Sequence, residues 1–241
     1  MVLLYGHCGA KGEAPENTEV ACTYAGALYL DGVQLDVRLS SDGELVVIHD
    51  ETVDRTTTSR GRVSQMTAAR LARLDARADF PEWPEPAGVP TLDAAIAASR
   101  GLQRIVISIQ PDEPRRLHRL CERLVELFER RSVGDRFVVL ATDETVVQQL
   151  RRAAPALTVG LAGWFDGVEQ LQRAERLGCG QIAVPVATCA RWLVEGAHVL
   201  GIEVIGWLGN TPEEINAFAD WGVDAIVSDF PAVAKHTLAA R

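Results

Sequence analysis

Short apolar runs alternate with helical stretches along the whole chain. The runs are rich in β-branched residues and almost continuously apolar, which is typical of parallel strands buried on both faces. This alternation predicts repeated strand–helix units. We predict strands at residues 2–5, 32–37, 104–109, 137–141, 158–162, 181–184, 203–206 and 225–227.

The stretches between these runs carry recognisable helix ends. Thr-Pro-Glu-Glu at residues 211–214 is a capping box with proline at the first helical position. Gly178 and Gly222 stand where a left-handed residue commonly ends a helix. Three further helices are predicted to start at Thr18, Thr91 and Asp166 and to reach residues 29, 99 and 177.

Eight strands with helices between them predict a TIM-type (β/α)8 barrel of the α/β class. The length of 241 residues suits this fold, which takes about 250 residues. A doubly wound open sheet is the alternative, but no Gly-x-Gly-x-x-Gly sequence follows a strand to support it. We therefore predict a single barrel domain over residues 1–241.

Residues 39–90 interrupt this rhythm. They hold an extra strand at 45–48, a polar loop, a short helix near 68–74 and a turn-rich segment at 81–86. We predict that they form a small insertion after the second barrel strand, folded over one mouth of the barrel.

Composition narrows the classes of function. The net charge of −9, without a strong Lys/Arg cluster, makes nucleic acid and anionic lipid surfaces unfavourable partners. Five cysteines without Cys-x-x-Cys spacing indicate neither a structural zinc site nor a disulfide framework. The sequence shows no basic leader and no apolar run of the roughly 18 residues needed to span a bilayer. These features predict a cytoplasmic protein without a membrane span.

Polar side chains end several of the predicted strands. His7 ends the first strand, His49 ends the inserted one, and Gln34 and Asp36 share a face because strand side chains alternate. Chemistry in (β/α)8 barrels lies at the carboxyl ends of the strands, so these side chains are expected at one mouth. A histidine pair there can divide proton transfer between the nucleophile and the leaving oxygen. The expected set is His7, Gln34, Asp36, His49, Ser108 and Gln110.

Short motifs stand along the whole chain. They are Gly-His-Cys-Gly-Ala at 6–10, Pro-Glu-Asn-Thr at 15–18, Gln-Leu-Asp-Val at 34–37, Asp-Gly at 42–43, Val-Ile-His-Asp at 47–50, Asp-Arg-Thr-Thr at 54–57, Pro-Thr-Leu at 90–92, Val-Ile-Gly-Trp at 204–207 with Asn210, and Gly-Val-Asp-Ala-Ile-Val-Ser-Asp-Phe-Pro at 222–231. Together these motifs resemble the glycerophosphodiester phosphodiesterase family, and the resemblance extends over essentially the whole chain. It implies the barrel with its inserted segment, a divalent cation (calcium or magnesium), and cleavage of a small phosphodiester to glycerol 3-phosphate and an alcohol.

The resemblance assigns roles to five residues. His7 and His49 match the acid/base pair, and Asp36 matches a carboxylate ligand of the metal. Glu16 matches a polar site residue beside the first histidine. Trp207 matches an aromatic residue that lines the substrate cleft.

Four positions depart from the family pattern. Cys8 stands in place of an arginine that contacts phosphate, and Gln110 stands in place of a lysine. Gln34 and Ser108 replace two glutamate ligands of the metal. Calcium and magnesium prefer anionic oxygen ligands, so cation binding is expected to be weak or absent. Removing one preorganised donor from a charge-stabilising site costs roughly 3–4 kcal/mol, so several losses together could abolish turnover.

Other side chains could in principle replace the missing metal ligands and phosphate contacts. A thiol nucleophile at Cys8 needs an electropositive setting that this site lacks, so a small buried side chain is the better interpretation. The acids and the histidine after the third strand are interpreted as a solvated helix start, and the arginines as a solvated rim. These residues are Asp112, Glu113, His118, Arg38, Arg55 and Arg60.

Three functions remain open at this point. The first is a phosphodiesterase acting on small glycerol phosphodiesters, weakened by the four substitutions. The second is a catalytically inactive barrel that binds a polyol, a phosphate ester or a protein partner in the inherited cleft. The third is an intramolecular phosphate transfer, as in related metal-assisted lipases, which would use the same histidine pair.

Overall fold

The structure is a computed structural model that describes residues 2–131, 136–163 and 166–241. Strands and helices alternate through these ranges. The strands are β1 (Leu3–Gly6), β2 (Gly32–Leu39), β3 (Leu45–Val47), β4 (Arg104–Ile109), β5 (Phe137–Ala141), β6 (Thr158–Ala162), β7 (Gln181–Pro185), β8 (Glu203–Trp207) and β9 (Ala225–Ser228). The helices are α1 (Glu19–Ala27), α2 (Ala68–Leu71), α3 (Leu92–Ala98), α4 (Pro114–Glu129), α5 (Glu144–Ala153), α6 (Gly167–Leu177), α7 (Arg191–Val199), α8 (Pro212–Trp221) and α9 (Pro231–Ala239).

Eight of the strands in the described ranges are parallel and close into a barrel. Neighbouring barrel strands pair in chain order from β4 to β9, and β9 pairs with β1. Pairing of β1 with β2, which places Gly6 opposite Val33, completes the closure. The predicted TIM-type (β/α)8 fold is confirmed.

The helix ends follow the capping chemistry of the sequence. The Thr211 side chain accepts a hydrogen bond from the Glu214 amide, and the Glu214 side chain accepts one from the Thr211 amide, as predicted for a capping box. Gly178 and Gly222 have φ values of 64° and 83°, so both left-handed caps are confirmed. Helix α1 ends at Ala27, earlier than predicted, and Tyr29 lies beyond it in the left-handed region with φ 54°.

The segment between β2 and α3 forms a small layer against the barrel. Strand β3 pairs antiparallel with the end of β2, with Val47 opposite Val37. A short 3-10 helix at Val63–Gln65 and helix α2 follow, and α2 stops at Leu71 rather than near 74. The segment has its own apolar core of Val46, Ile48, Val53, Val63, Met66, Ala68, Leu71, Ala76 and Val89.

None of the helices within the described ranges is both long enough and apolar enough to cross a membrane.

Candidate active site at the carboxyl end of the barrel

The inner face of β2 is polar, whereas the apolar cluster inside the barrel is drawn from the other seven barrel strands. Val33, Leu35 and Val37 belong to the outer core beneath the helices, and the alternation of strand side chains therefore turns Gln34 and Asp36 inward. The apolar interior cluster is Tyr5, Val106, Val138, Leu140, Ala162, Ala183, Ile205, Ala225 and Val227. A polar site is thus set into one side of an apolar barrel.

The Asp36 carboxylate is completely buried and receives hydrogen bonds on both oxygens. Gln34 Nε2 donates to Oδ1 at 2.9 Å, and Gln110 Nε2 donates to the same oxygen at 2.7 Å. Asn17 Nδ2 donates to Oδ2 at 2.9 Å, and Cys8 Sγ lies 3.1 Å from that oxygen. We call these five residues, Cys8, Asn17, Gln34, Asp36 and Gln110, the Asp36 network.

Backbone contacts fix the orientation of two amides in this network. The Cys8 backbone amide donates to Gln34 Oε1 at 3.2 Å, so the Gln34 amino group must face Asp36. The Asp36 backbone amide donates to Asn17 Oδ1 at 3.1 Å, which turns the Asn17 amino group toward the carboxylate. The network therefore presents N–H groups, not carbonyl oxygens, to Asp36.

Cys8 lies in a tight turn directly after β1. A Cβ atom on Gly6 would lie 1.7 Å from the Gly9 carbonyl oxygen, so this turn requires glycine. Cys8 itself has φ 49°, in the left-handed region. Burial raises the pKa of its thiol well above the usual range, and the nearby Asp36 carboxylate adds to the effect. Cys8 is thus a neutral hydrogen-bond donor, which agrees with the interpretation as a small buried side chain.

His7 is held by the carboxylate of Asp229, directly after the last barrel strand. Its Nδ1 lies 2.6 Å from Asp229 Oδ1, and Asn210 Nδ2 donates to Asp229 Oδ2 at 2.7 Å. Burial tends to raise the pKa of Asp229, but the contact with His7, the hydrogen bond from Asn210 and the charge of Lys11 together outweigh burial, so the net shift is downward. An ionised Asp229 can only accept, so Nδ1 carries a proton, and in the neutral ring Nε2 then has a free lone pair. That Nε2 is buried and has no hydrogen-bond partner among the described residues.

Trp207, at the end of β8, packs beside His7. The ring centroids lie 5.4 Å apart at an interplanar angle of 58°. Trp207 also lines an apolar pocket of about 190 Å³ at the carboxyl ends of β5 to β8. A larger cavity of about 890 Å³ lies at the opposite end of the barrel, beside the start of β1, and it is lined by neither histidine.

His49 lies at the same mouth but in a different network. The Ile48 amide donates to the Asp36 carbonyl at 2.9 Å, which brings His49 beside the carboxyl end of β2. His49 Nδ1 lies 2.8 Å from Asp50 Oδ1. Arg55 Nε donates to Asp50 Oδ2 at 2.7 Å, and its two other nitrogens bind both oxygens of buried Glu16. The hydrogen bond from Arg55 lowers the pKa of Asp50 to about 2.

The interpretation as a solvated rim is wrong for Arg38, which is buried, whereas Arg55 and Arg60 are exposed. Strand β2 persists through Arg38, whose side chain is turned inward and is only 8% exposed. It donates to the carbonyls of His49 and Pro111 at 2.8 and 2.9 Å, and burial lowers its pKa. Arg55 is partly exposed but is paired with two carboxylates. Both arginines therefore fasten the segment that carries His49.

Of the remaining residues considered for the site, Ser108 lies beside Asp36, and those after β4 lie at helix α4. Ser108 pairs in register with Asp36, and its buried hydroxyl has no hydrogen-bond partner among the described residues. Asp112 pairs with Arg116 on the first turns of α4, and His118 is exposed beside Glu122. The acids and the histidine after β4 thus belong to the helix surface rather than the mouth.

Three residues at the mouth were not among the expected site residues. Asn17 donates to Asp36, Asp229 is hydrogen-bonded to His7, and Asn210 donates to Asp229. Each of them stands inside a motif that the sequence already displays, Pro-Glu-Asn-Thr, Ser-Asp-Phe-Pro and the stretch after Trp207. Their position in those motifs was the only sign in the sequence that they belong to the site. The motifs do not show which residues they contact, because those partners lie elsewhere in the chain.

The donor set at Asp36 does not fit a divalent cation. Calcium and magnesium need several oxygen ligands, preferably anionic ones, whereas Asp36 is surrounded by N–H and S–H donors. Among the described residues, no three His, Cys, Asp or Glu side chains are grouped so that they could hold a metal ion. The arrangement offers a proton acceptor at His7 and a second histidine at the same mouth.

A comparison with models of protein families shows which family the chain belongs to. Residues 7–233 match the model of the glycerophosphoryl diester phosphodiesterase family. The chain belongs to this family. A glycerophosphodiester phosphodiesterase of Caldanaerobacter subterraneus subsp. tengcongensis is 30% identical over 95% of this chain and 94% of its own length. One from Bacillus altitudinis is 28% identical over 96% of both chains.

Solved structures of the family share the barrel. An Oleispira antarctica phosphodiesterase, solved in complex with the product sn-glycerol-3-phosphate, has a TM-score of 0.90 and 24% identity over 98% of this chain and 96% of its own. A glycerophosphodiester phosphodiesterase from Agrobacterium tumefaciens has a TM-score of 0.82 and 26% identity over 98% of this chain and 100% of its own.

Proposed function

We propose that the protein is a slow phosphoric diester hydrolase acting on small glycerophosphodiesters. The observation that carries the proposal is His7, whose Nδ1 is held by Asp229 and whose buried Nε2 has no partner among the described residues. A nitrogen kept in this state is prepared to accept a proton. The bound product of the Oleispira antarctica relative supports sn-glycerol 3-phosphate as the product class.

The proposed chemistry divides two protons between the histidines. His7 Nε2 takes a proton from water as the water oxygen bonds to phosphorus. The bond from phosphorus to the alcohol oxygen breaks, and protonated His49 gives that oxygen its proton. Both rings are oriented by a carboxylate, His7 by Asp229 and His49 by Asp50. The products are glycerol 3-phosphate and the alcohol.

Slow turnover is proposed because the cations near the mouth are already engaged. Arg55 is bound by Glu16 and Asp50, and Lys11 Nζ lies 3.5 Å from Glu16. Arg38 donates to two backbone carbonyls. Little positive charge is left to stabilise the phosphoryl oxygens, and such stabilisation is usually the largest catalytic contribution.

An assay of glycerophosphocholine and glycerophosphoethanolamine hydrolysis tests this function. We expect turnover well below the common enzyme scale of about 10 s⁻¹. His7→Ala and His49→Ala should each lower it further by about 10²-fold or more, because each removes a proton-transfer group. Turnover near 10 s⁻¹ that requires both histidines would contradict the proposed weakening. Activity unchanged in both variants would contradict the histidine mechanism.

The Asp36 network favours a second candidate, a catalytically inactive member that binds a polyol or a phosphate ester. Its amide groups are satisfied around one carboxylate, an arrangement that can hold the cleft in shape without chemistry. This candidate predicts no product above the level of the His7→Ala variant. It also predicts saturable binding of glycerol or sn-glycerol 3-phosphate, measured by calorimetry.

A further inference from the structure

The charge of Asp36 is balanced by hydrogen bonds alone. Both carboxylate oxygens are occupied, by Gln34 and Gln110 on one side and by Asn17 and Cys8 on the other. The carboxylate is fully buried, and every one of its partners is uncharged. A buried carboxylate needs such donors because water cannot reach it.

A cation at this carboxylate would have to displace those donors. Asn17 and Gln34 are also fixed on their other side by backbone amides, so neither can turn its carbonyl oxygen toward Asp36 without losing that second bond. The side-chain amides of Asn17 and Gln34 are thus hydrogen-bonded through both their nitrogen and their oxygen atoms. It supplies hydrogen-bond donors in the position where the resemblance implies a divalent cation.

We propose that the Asp36 network replaces the divalent cation of this family, so that the mouth of the barrel is a cation-independent centre. The protein then folds, and receives its ligand, equally well with divalent cations and with a chelator. The proposal rests on the proposed function only for the place where the ligand binds. None of its tests requires turnover.

The first test uses the wild-type protein and the cations alone. We expect the melting temperature to change by no more than about 1 °C between calcium, magnesium and EDTA. We also expect the side-chain amide signals of Asn17, Gln34 and Gln110 in a ¹H–¹⁵N spectrum to keep their widths when Mn²⁺ is added at equimolar concentration. Selective broadening of these three signals by Mn²⁺ would overturn the proposal.

The second test uses a variant whose stability should depend on a divalent cation. In Gln34→Glu the bond from the Cys8 amide can remain, but a second carboxylate oxygen now faces Asp36 in place of an N–H donor. Two carboxylates in contact repel unless a cation or a proton lies between them. We expect this variant to melt several degrees below wild type in EDTA and to recover with millimolar calcium. Gln148→Glu, which adds one charge on the exposed surface of α5, is the matched control and should show neither effect.

The outcomes separate the two proposals. A Gln34→Glu variant as stable as wild type in EDTA between about pH 6 and 9, where a shared proton would be lost, and indifferent to calcium would overturn the cation-independent centre, because the Gln34 amide would then not balance Asp36. A wild-type protein that shows no hydrolysis, yet behaves as expected in both tests, would overturn the proposed hydrolase and leave this centre standing.

Discussion

At the scale of single residues, the mouth of the barrel is built from polar atoms that fix one another. Asp229 fixes the proton position on His7, and Asn210 fixes Asp229 through its amino group and through its carbonyl oxygen, which accepts from the Asp229 amide. The Asp36 carboxylate is likewise held in place by four donors, Cys8, Asn17, Gln34 and Gln110. The orientation of each of these two carboxylates therefore depends on its hydrogen-bond donors.

Asp229→Asn should release His7 from its fixed proton position. Asparagine cannot hold the Nδ1 proton as a carboxylate does, so we expect kcat to fall by about 10-fold or more with little change in KM. ¹⁵N NMR of the His7 ring should show Nδ1 protonated in wild type and a mixed state in the variant. Asp220→Asn on the exposed end of α8 is the control. An identical ring state in both proteins would rule out this role for Asp229.

Asp36→Asn should destabilise the fold. The new amide group would place N–H against the donors of Gln34, Gln110, Asn17 or Cys8, and the buried donors left unpaired would each lose a charge-assisted bond. We expect a loss of about 3–5 kcal/mol in the free energy of unfolding, typical for removing one partner from a buried charged group. Urea denaturation measures it, with Asp93→Asn on α3 as an exposed control. A loss below that of the control would show that the network is not structural.

At the scale of elements, the inserted segment is fastened to the barrel by two arginines. Arg38 reaches from β2 to the carbonyl of His49, and Arg55 reaches from the segment to Glu16 in the loop after β1. The placement of His49 therefore depends on contacts between three separate stretches of chain. Its own strand, β3, ends at Val47 and does not hold it directly.

The fastening at Asp50 should weaken in acid. Its pKa is lowered from 3.8 to about 2, so its stabilising contribution is present above about pH 4 and is lost as the pH falls toward 2. We expect Asp50→Asn to cost about 1 kcal/mol above pH 4, since the pair is partly exposed, and to cost nothing near pH 2. Unfolding free energies of both proteins between pH 2 and 7 measure the difference. Glu51→Gln serves as the control, and a difference independent of pH would contradict the assignment.

At the scale of the whole molecule, the barrel core is separate from the residues at its mouth, so substitutions at the mouth leave the fold intact. The outer core draws residues from all eight barrel strands and the apolar interior from seven of them, while the substituted positions lie on β2, at the end of β4 and in the turn after β1. The barrel can thus keep the family fold while the electrostatics of the site change. This separation permits an experiment in restoration.

A fourfold variant should gain cation-dependent phosphodiesterase activity. Gln34→Glu and Ser108→Glu add carboxylates on the same face as Asp36, and Cys8→Arg and Gln110→Lys add positive charge for phosphate. We expect each single change to gain little activity, because groups that share one site are strongly non-additive. Assays with calcium, magnesium and a chelator compare the variants. A folded fourfold variant that binds the cation yet stays inert would show that the cleft itself has changed shape.

The sequence by itself determined the barrel, the helix caps and the family. Apolar runs, capping residues and short motifs are local signals, and local signals decide local structure. It also placed both histidines and Asp36 at strand ends. The departures at Cys8, Gln34, Ser108 and Gln110 were equally readable, since they are differences in residue type.

Only the tertiary structure decided what those residues contact. His7 and Asp229 are 222 positions apart, and Gln110 reaches Asp36 across 74. Arg38 shares the face of Asp36 only because β2 persists through Leu39, and it is buried beneath the loop that carries His49. Such pairings depend on how the closed barrel brings distant strand ends together. No local pattern encodes them, because hydrogen-bond partners are selected by distance in space and not by distance along the chain.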